Sequence, residues 1–339
     1  MLKIASPEHH ETIQMAEDAK AHFRQNRGSG HAGIMGKWMY SDPHHDNDTV
    51  RGGLLWDLFT MLHRQYYVTR NQKKVILDNL DDFANALPNV KTIMDFGCGG
   101  SEVLSNQTLP LIRAFKSVVE YIPIDMNEDF LQSAKSLVSR MFGRKVIVND
   151  INEDFLKLPT IPRKGQTLGL FFGASTNFER FPDGMIDLLK AFKEAIGKDG
   201  YLAMTIDTNQ NAQSVIESYT HNLHAEHSVN LMQRFRRDLN IAGDFDAHAW
   251  EYQTDVEEMQ FKGHDLLLTK HVLIANRAMS FFIDGEHFIV NKGEEFIADQ
   301  SYKISVELMD ELCSQCGLSR VSRFDDSDKR IALLTYKVK

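Results

Sequence analysis

Lys91-Thr-Ile-Met-Asp95-Phe-Gly97-Cys-Gly99-Gly100-Ser-Glu102, followed by Tyr121-Ile-Pro-Ile-Asp125, is the stretch that decides the fold. Thr92 to Phe96 is a short apolar run with one acid, the pattern of a strand buried on both faces of a parallel sheet. It breaks into glycines, then into a segment with enough Leu and Ile to begin a helix. Glycine lets a backbone approach a ligand closely, and a helix N-terminus presents free N–H groups. A second strand, Val118 to Ile124, ends at Asp125, where a carboxylate can accept both hydroxyls of a ribose. Strand, glycine turn, helix, strand and acid form the nucleotide-binding half of an open α/β sheet.

The turn also selects among nucleotides. A dinucleotide fold asks for G-x-G-x-x-G, and the third glycine position here is Glu102. That glycine lets a helix pack beneath a pyrophosphate, so an acid in its place argues against NAD or FAD. S-adenosylmethionine has no phosphate and carries a sulfonium and an ammonium group. A loop with Asp95 before it and Glu102 within it suits such a cation. Together with Asp125, the turn points to a methyltransferase.

Composition narrows the partners. The 339 residues can hold one large or two ordinary domains, and 42% hydrophobic with 25% charged residues is ordinary for a globular protein. A net charge of −9 argues against a nucleic-acid surface, which calls for a basic face. No apolar run approaches the ~18 residues of a membrane span, and the first residues lack a signal-peptide core. Three cysteines suggest a reducing compartment, so the expectation is cytoplasmic with no membrane partner. Cys313 and Cys316 form a C-x-x-C near the end of an amphipathic helix without a second ligand pair, so no metal is expected there. His221, His224 and His227 have i, i+3, i+6 spacing but no H-E-x-x-H, and read as polar surface histidines.

Along the chain, a polar helix over 8–26 looks like a surface arm, and Gly36-Lys-Trp-Met-Tyr40-Ser-Asp-Pro43 reads as a binding loop. Helical periodicity over 53–62 ends in Gln65-Tyr66-Tyr67-Val-Thr-Arg70, a connection between helices. Strands are expected at 92–96, 118–124, 145–149, 167–172 and 201–206, with helices between them. Asp150 and Ile151 follow the third strand, one to bond an adenine amino group and one to cover its face. The fourth strand ends in small polar residues that include Asn177. A helix over 213–240 carries Tyr219. Alternating segments at 265–276, 279–283 and 287–290 follow, with a hairpin signal at Asp284-Gly285, as a substrate lid. Asp299-Gln-Ser301-Tyr-Lys303 then leads to a helix over 306–316 and a last strand over 331–337.

These residues add up to a resemblance. Lys37-Trp-Met-Tyr40, Tyr66-Tyr-Val-Thr-Arg70, Gly97-Cys-Gly-Gly-Ser-Glu102, Tyr121-Ile-Pro-Ile-Asp125, Gly243-Asp-Phe-Asp246 and Ser301-Tyr-Lys303 are similar, in order and spacing, to motifs of the histidine-specific methyltransferases of ergothioneine biosynthesis and their amino-acid N-methyltransferase relatives. The resemblance implies a Rossmann-like class I methyltransferase sheet with a second α+β substrate-binding domain. Its implied boundaries are 1–35 for an N-terminal arm, 36–72 with 209–300 for the substrate domain, and 73–208 with 301–339 for the methyltransferase domain. It implies S-adenosylmethionine bound at Gly97, Gly99, Asp125, Asp150 and Ile151. The substrate would be a free amino acid, its α-amino and carboxylate groups held by Tyr66, Asn177 and Tyr219 and its side chain read by Asp299 and Ser301. Tyr40, Asn177 and Tyr219 are the implied catalytic residues. The family's histidine enzymes carry Glu at the position of Asp299. Shortening by one CH₂ withdraws the acceptor by roughly 1.5 Å and makes room for a larger cationic side chain such as that of arginine. Methylation of that side chain is the alternative within enzymes, and a non-catalytic methyltransferase-fold binding protein is the alternative outside them.

Overall fold

The computed structural model describes residues 7–24, 32–42, 50–173 and 181–339. Strands β1 (Val90–Phe96), β2 (Glu120–Asp125), β3 (Ile147–Val148), β4 (Ile151–Asn152), β5 (Gln166–Phe171) and β6 (Tyr201–Asp207) alternate with helices. An inserted region supplies β7 (Ile241–Asp244), β8 (Trp250–Phe261), β9 (His264–Ala275), β10 (Met279–Ile283), β11 (Glu286–Val290) and β12 (Glu295–Lys303). The chain closes with β13 (Leu318–Asp325) and β14 (Ile331–Val338). The large sheet has the order β13-β14-β6-β5-β1-β2-β3, with β4 also on β2. Its β1, β2, β3, β5 and β6 are parallel, and β13 and β14 add an antiparallel edge. The strand order reverses at β1, so the expected glycine turn sits at the switch point where open sheets bind ligands. The Rossmann-like class I sheet expected from sequence is present.

Burial follows the period-2 rule of a strand. Ile93 packs in one core with Tyr121, Leu168 and Leu170, under the helices Tyr67–Asp78 and Glu128–Phe142. Met94 and Phe96 enter the opposite core with Ile122, Ile124 and Phe192 of the helix Asp183–Ile196. A third core lies outside the sheet, and it corrects the first expectation. The helix Pro7–Arg24 is no surface arm: Met15, Ala19 and Phe23 are buried there with Trp38, Phe235, Phe281 and Phe296.

Three further segments differ from the sequence reading. Gly36 does not mark a loop but lies in the helix Ala32–Tyr40, where a Cβ would overlap the Asp299 carboxylate. Tyr66 caps the helix Tyr67–Asp78, so the second tyrosine of the pair is already helical. The expected helix over 213–240 is two helices, Ala212–Tyr219 and Asn222–Asp238, broken where His221 accepts the Leu223 N–H at 3.2 Å through Nδ1. β8 and β13 have no counterpart in the sequence reading. Both are long outward-facing edges whose charged and polar positions dilute the apolar signal.

The insert forms two antiparallel sheets, β11-β10-β7 and β12-β9-β8. Leu266 and Leu268 of β9 and Tyr302 of β12 share the core of Phe96 and Phe192, so this sheet is fused to the large one. β12 pairs with β9 in register from Asp299↔His271 to Lys303↔Leu267, after a register shift between Ile297 and Asp299. The extra residue is a bulge, a feature common beside active sites. Downstream of it Asp299, Ser301 and Lys303 share one face. No helix among the described residues is long and apolar enough to cross a membrane.

Candidate active site

The side expected to take the cofactor grows from β1 and β2. Gly97 and Gly99 have φ of +80° and +66°, which side-chain-bearing residues rarely adopt, and the Gly97 N–H donates to the Ile124 carbonyl at 2.8 Å. Asp125 ends β2 half-buried and accepts from the Asn127 N–H at 2.9 Å and from the Gly99 N–H. Burial pushes its carboxyl up to about 6. Asp57, from the helix Gly52–Leu62, sits so close to Gly100 that a Cβ there would overlap its carboxylate. Burial, with Glu102 and Asp125 nearby, pushes Asp57 up to about 6 as well. The charged groups acting on Asp57 are thus both acids. A ligand carrying a sulfonium and an ammonium group would relieve them, so the residues present fit S-adenosylmethionine. Asp95 has a different place from the one expected: it is buried beneath the loop and accepts from Thr108 Oγ1 at 3.0 Å and the Tyr121 hydroxyl at 2.8 Å.

Asp150 and Ile151 flank this side. Asp150 accepts from Lys135 Nζ at 2.9 Å, and that bond lowers its pKa. Ile151 pairs with Ile124 and packs partly against the second core beside Phe155, which itself closes on Gly97. Asn127 links the two halves of the site. Its backbone bonds Asp125, while its side chain donates to the Tyr40 carbonyl at 3.0 Å.

The other half is a cavity whose lining includes Tyr40, Trp56, Tyr66, Asp207, Tyr219, His271, Asp299, Ser301 and Lys303. Tyr66 and Tyr219 meet edge to face with centroids 5.4 Å apart, and Tyr40 meets Trp56 likewise at 5.3 Å. Burial and the neighbouring Asp299 raise the Tyr40 pKa far above its ordinary value, so its hydroxyl stays protonated. Asp299 is 3% exposed, accepts the Gln300 N–H at 2.8 Å, and is pushed up to about 7 by burial. Lys303 is 1% exposed and donates to Ser301 Oγ at 2.7 Å and the Tyr219 hydroxyl at 3.2 Å, with Asp207 at 3.5 Å. Burial opposes its charge, but Tyr219 and Asp207 outweigh that and raise its pKa. The Tyr67 hydroxyl donates to the same Asp207 at 2.7 Å.

Behind the aromatic wall lie two of the three histidines whose polarity reads as surface in the sequence. His224 and His227 are buried, 2% and 0% exposed, and burial holds both well below the ordinary histidine range, so both are neutral. His227 Nδ1 is 3.1 Å from the Gly52 carbonyl. Their spacing signalled one helix face, but that face points inward. Among the described residues no group of His, Cys, Asp and Glu could hold a metal. Cys313 and Cys316 are buried core residues.

The structure therefore gathers four of the expected substrate residues, Tyr66, Tyr219, Asp299 and Ser301, in one cavity with Tyr40, expected as catalytic. Asn177 lies outside the described residues. Sequence reasoning missed Asp57, Trp56, Asp207 and His271, and gave Lys303 no role. Only Lys303 had a local signal, its alternation with Asp299 and Ser301.

Two curated proteins are similar in sequence. The uncharacterized protein y4iF of Sinorhizobium fredii is 21% identical over 248 residues, covering 69% of this chain and 77% of that protein. Ergothioneine biosynthesis protein 1 of Neurospora crassa is 23% identical over 285 residues, covering 81% of this chain and 30% of that longer protein. Among solved structures, an S-adenosylmethionine-dependent methyltransferase from Clostridium acetobutylicum superposes with a TM-score of 0.45 at 14% identity, over 84% of this chain and 97% of that one. Residues 16–338 match the family described as histidine-specific methyltransferase, SAM-dependent. The chain belongs to that family of S-adenosylmethionine-dependent methyltransferases.

Proposed function

We propose that the protein methylates an amine nitrogen of a free amino acid, with the α-amine of a histidine-like substrate as the first assignment. One observation carries the reading. A single aromatic-walled cavity presents a buried cation, Lys303, paired with Asp207 and donating to the Tyr219 hydroxyl, and a buried acid, Asp299, on the same face of one strand. A small ligand that is itself dipolar, with a carboxylate at one end and a donor-bearing side chain at the other, matches that polarity. In the same reading 36–72 with 209–300 act as the substrate domain, 73–208 with 301–339 as the methyltransferase domain, and the partner is a small molecule rather than a nucleic acid.

When bound, S-adenosylmethionine would supply an electrophilic methyl group on its sulfonium for in-line attack by a neutral amine, with the thioether as the leaving group. Asp125 holds the ribose, and Gly97 and Gly99 admit the ligand to the backbone, while Asp150 and Ile151 take the adenine. Lys303 donates to the Tyr219 hydroxyl and so makes its O–H a stronger donor toward a carboxylate. Tyr66, Tyr219 and Asn177 hold the α-amino and carboxylate groups, placing the attacking nitrogen in the near-attack range of ~3–3.5 Å. Tyr40 stays protonated and orients the amine without acting as its base. Asp299 and Ser301 read the side chain.

The shortened acid at Asp299 favours one second reading, methylation of a longer cationic side chain such as that of arginine. Product mass spectrometry with single amino acids, wild type against Asp299→Asn, separates the two by the mass and position of the methyl group. Equal turnover of leucine and histidine, or an unchanged preference in Asp299→Asn, removes Asp299 as the side-chain reader.

A further inference from the structure

His271 belongs to none of the roles above, yet it lies opposite Asp299 in the β9–β12 pair and lines the same cavity. It is 3% exposed, and its ring is held by Tyr219 and His224 at centroid distances of 4.7 and 4.6 Å. Its Nδ1 is 2.9 Å from the Tyr252 hydroxyl, whose oxygen is 2.7 Å from Thr254 Oγ1. A phenol is a better donor than an imidazole N–H, and an imidazole nitrogen is a better acceptor than a phenol oxygen. Tyr252 therefore donates to Nδ1 and Thr254 donates to Tyr252, which fixes the ring proton on Nε2. Burial and the nearby Lys303 keep the ring from taking a second proton. The cavity thus presents an N–H donor beside the Asp299 carboxyl.

We propose that His271 is a specificity-determining residue that donates through Nε2–H to the substrate side chain, so that the site selects a side chain with an acceptor next to a donor, an imidazole or a primary carboxamide. The inference rests on the amino-acid reading above and adds to it a residue and a chemical class. Directly opposed residues of an antiparallel pair have Cβ atoms about 4.5–5.5 Å apart, close enough for one planar group to meet both. A donor-only side chain, such as a guanidinium or an indole, satisfies Asp299 but sets N–H against N–H at His271. Leaving that buried donor unmatched weakens binding by about tenfold or more.

Calorimetric titration in the presence of S-adenosylhomocysteine tests this with histidine, glutamine, asparagine, arginine, leucine and a pyrrole analogue of histidine that keeps the ring N–H and replaces the acceptor nitrogen by CH. Wild type is expected to bind histidine or one of the carboxamides about tenfold or more tighter than arginine and the pyrrole analogue. Which of the two classes wins identifies the side chain. His271→Phe removes the preference, and His271→Gln, which keeps an N–H donor, restores part of it. Because His271→Phe alters a buried position, nitrogen NMR of wild type provides a second measurement, expected to show the ring proton on Nε2, and Tyr252→Phe is expected to release that tautomer. A proton on Nδ1 in wild type, arginine binding tightest, or an undiminished preference in folded His271→Phe overturns the inference while leaving the amino-acid reading intact. Binding of no amino acid overturns that reading and this inference with it.

Discussion

The two sides of the site are built by opposite means. Gly97, Gly99 and Asp125 come from one unit, residues 91–127, and are fixed by its backbone N–H groups: Gly97 donates to the Ile124 carbonyl, and Gly99 and Asn127 donate to the Asp125 carboxylate. The second cavity draws Tyr40, Trp56, Tyr66, Tyr219, His271 and Asp299 from separate elements, and apart from the β9–β12 ladder that pairs His271 with Asp299, its described anchors are largely side chains. A site held by its own backbone is expected to lose a contact without unsettling the fold. A site held by buried side chains from distant segments is expected to couple binding to stability.

The strongest way to break that contrast is Lys303→Met. It leaves Asp207 buried without its cation, which is expected to cost about 3–5 kcal/mol in urea unfolding, with much of it regained when Asp207→Asn is added. A variant as stable as wild type would show that the cavity is not part of the fold's foundation. Asp125→Ala should do the reverse. Cofactor affinity drops by about 1.5–3 kcal/mol in calorimetry, while unfolding changes far less. An undiminished affinity would move the ribose elsewhere.

The acids of the cofactor side sharpen the comparison through pH. Asp57 and Asp125 are raised from 3.8 to about 6 in the folded protein. The folded state therefore binds more protons than the unfolded one between those values, so their contribution to stability is present below about 4 and is lost as pH rises to about 6. Binding of a cationic cofactor has the opposite sign. It should tighten as pH rises through about 6 and level off above, and a titration flat from pH 5 to 8 would mean that neither carboxyl faces the ligand. The smallest effect is expected at the rim, where Lys135→Met removes a half-exposed partner of Asp150. The change in stability should stay within about 0.2–1 kcal/mol.

The same contrast explains what could be read in the sequence. The strand–turn–helix–strand unit was legible because its signals, apolar runs, glycines and a terminal acid, are contiguous and have one physical meaning each. β1, β2, β5 and β6 fall within a few residues of their expected positions. His224 and His227 were read outward because polarity alone does not tell a solvated helix face from one facing an aromatic core. Gly36 looked like a turn because the reason for it, the Asp299 carboxylate, lies 263 residues away. Asp57 and His271 carry no local mark at all. Their significance exists only once the helix Gly52–Leu62 meets Gly100 and β9 meets β12.

The register shift between Ile297 and Asp299 gives the cavity a sensitivity to chain length that no point substitution shares. Phe296, paired with Leu273, and Asp299, paired with His271, face the same way only because one extra residue stands between them. Excising Ala298 would leave Phe296 and Asp299 two positions apart and still on one face, whereas excising Gln300, beyond the bulge, would force a choice. Either Asp299 keeps its face and Ser301 and Lys303 turn together to the opposite one, or those two stay and Asp299 is expelled. A single-codon deletion could therefore erase the charge pattern of the pocket in one step, while leaving every one of its charged residues in the gene.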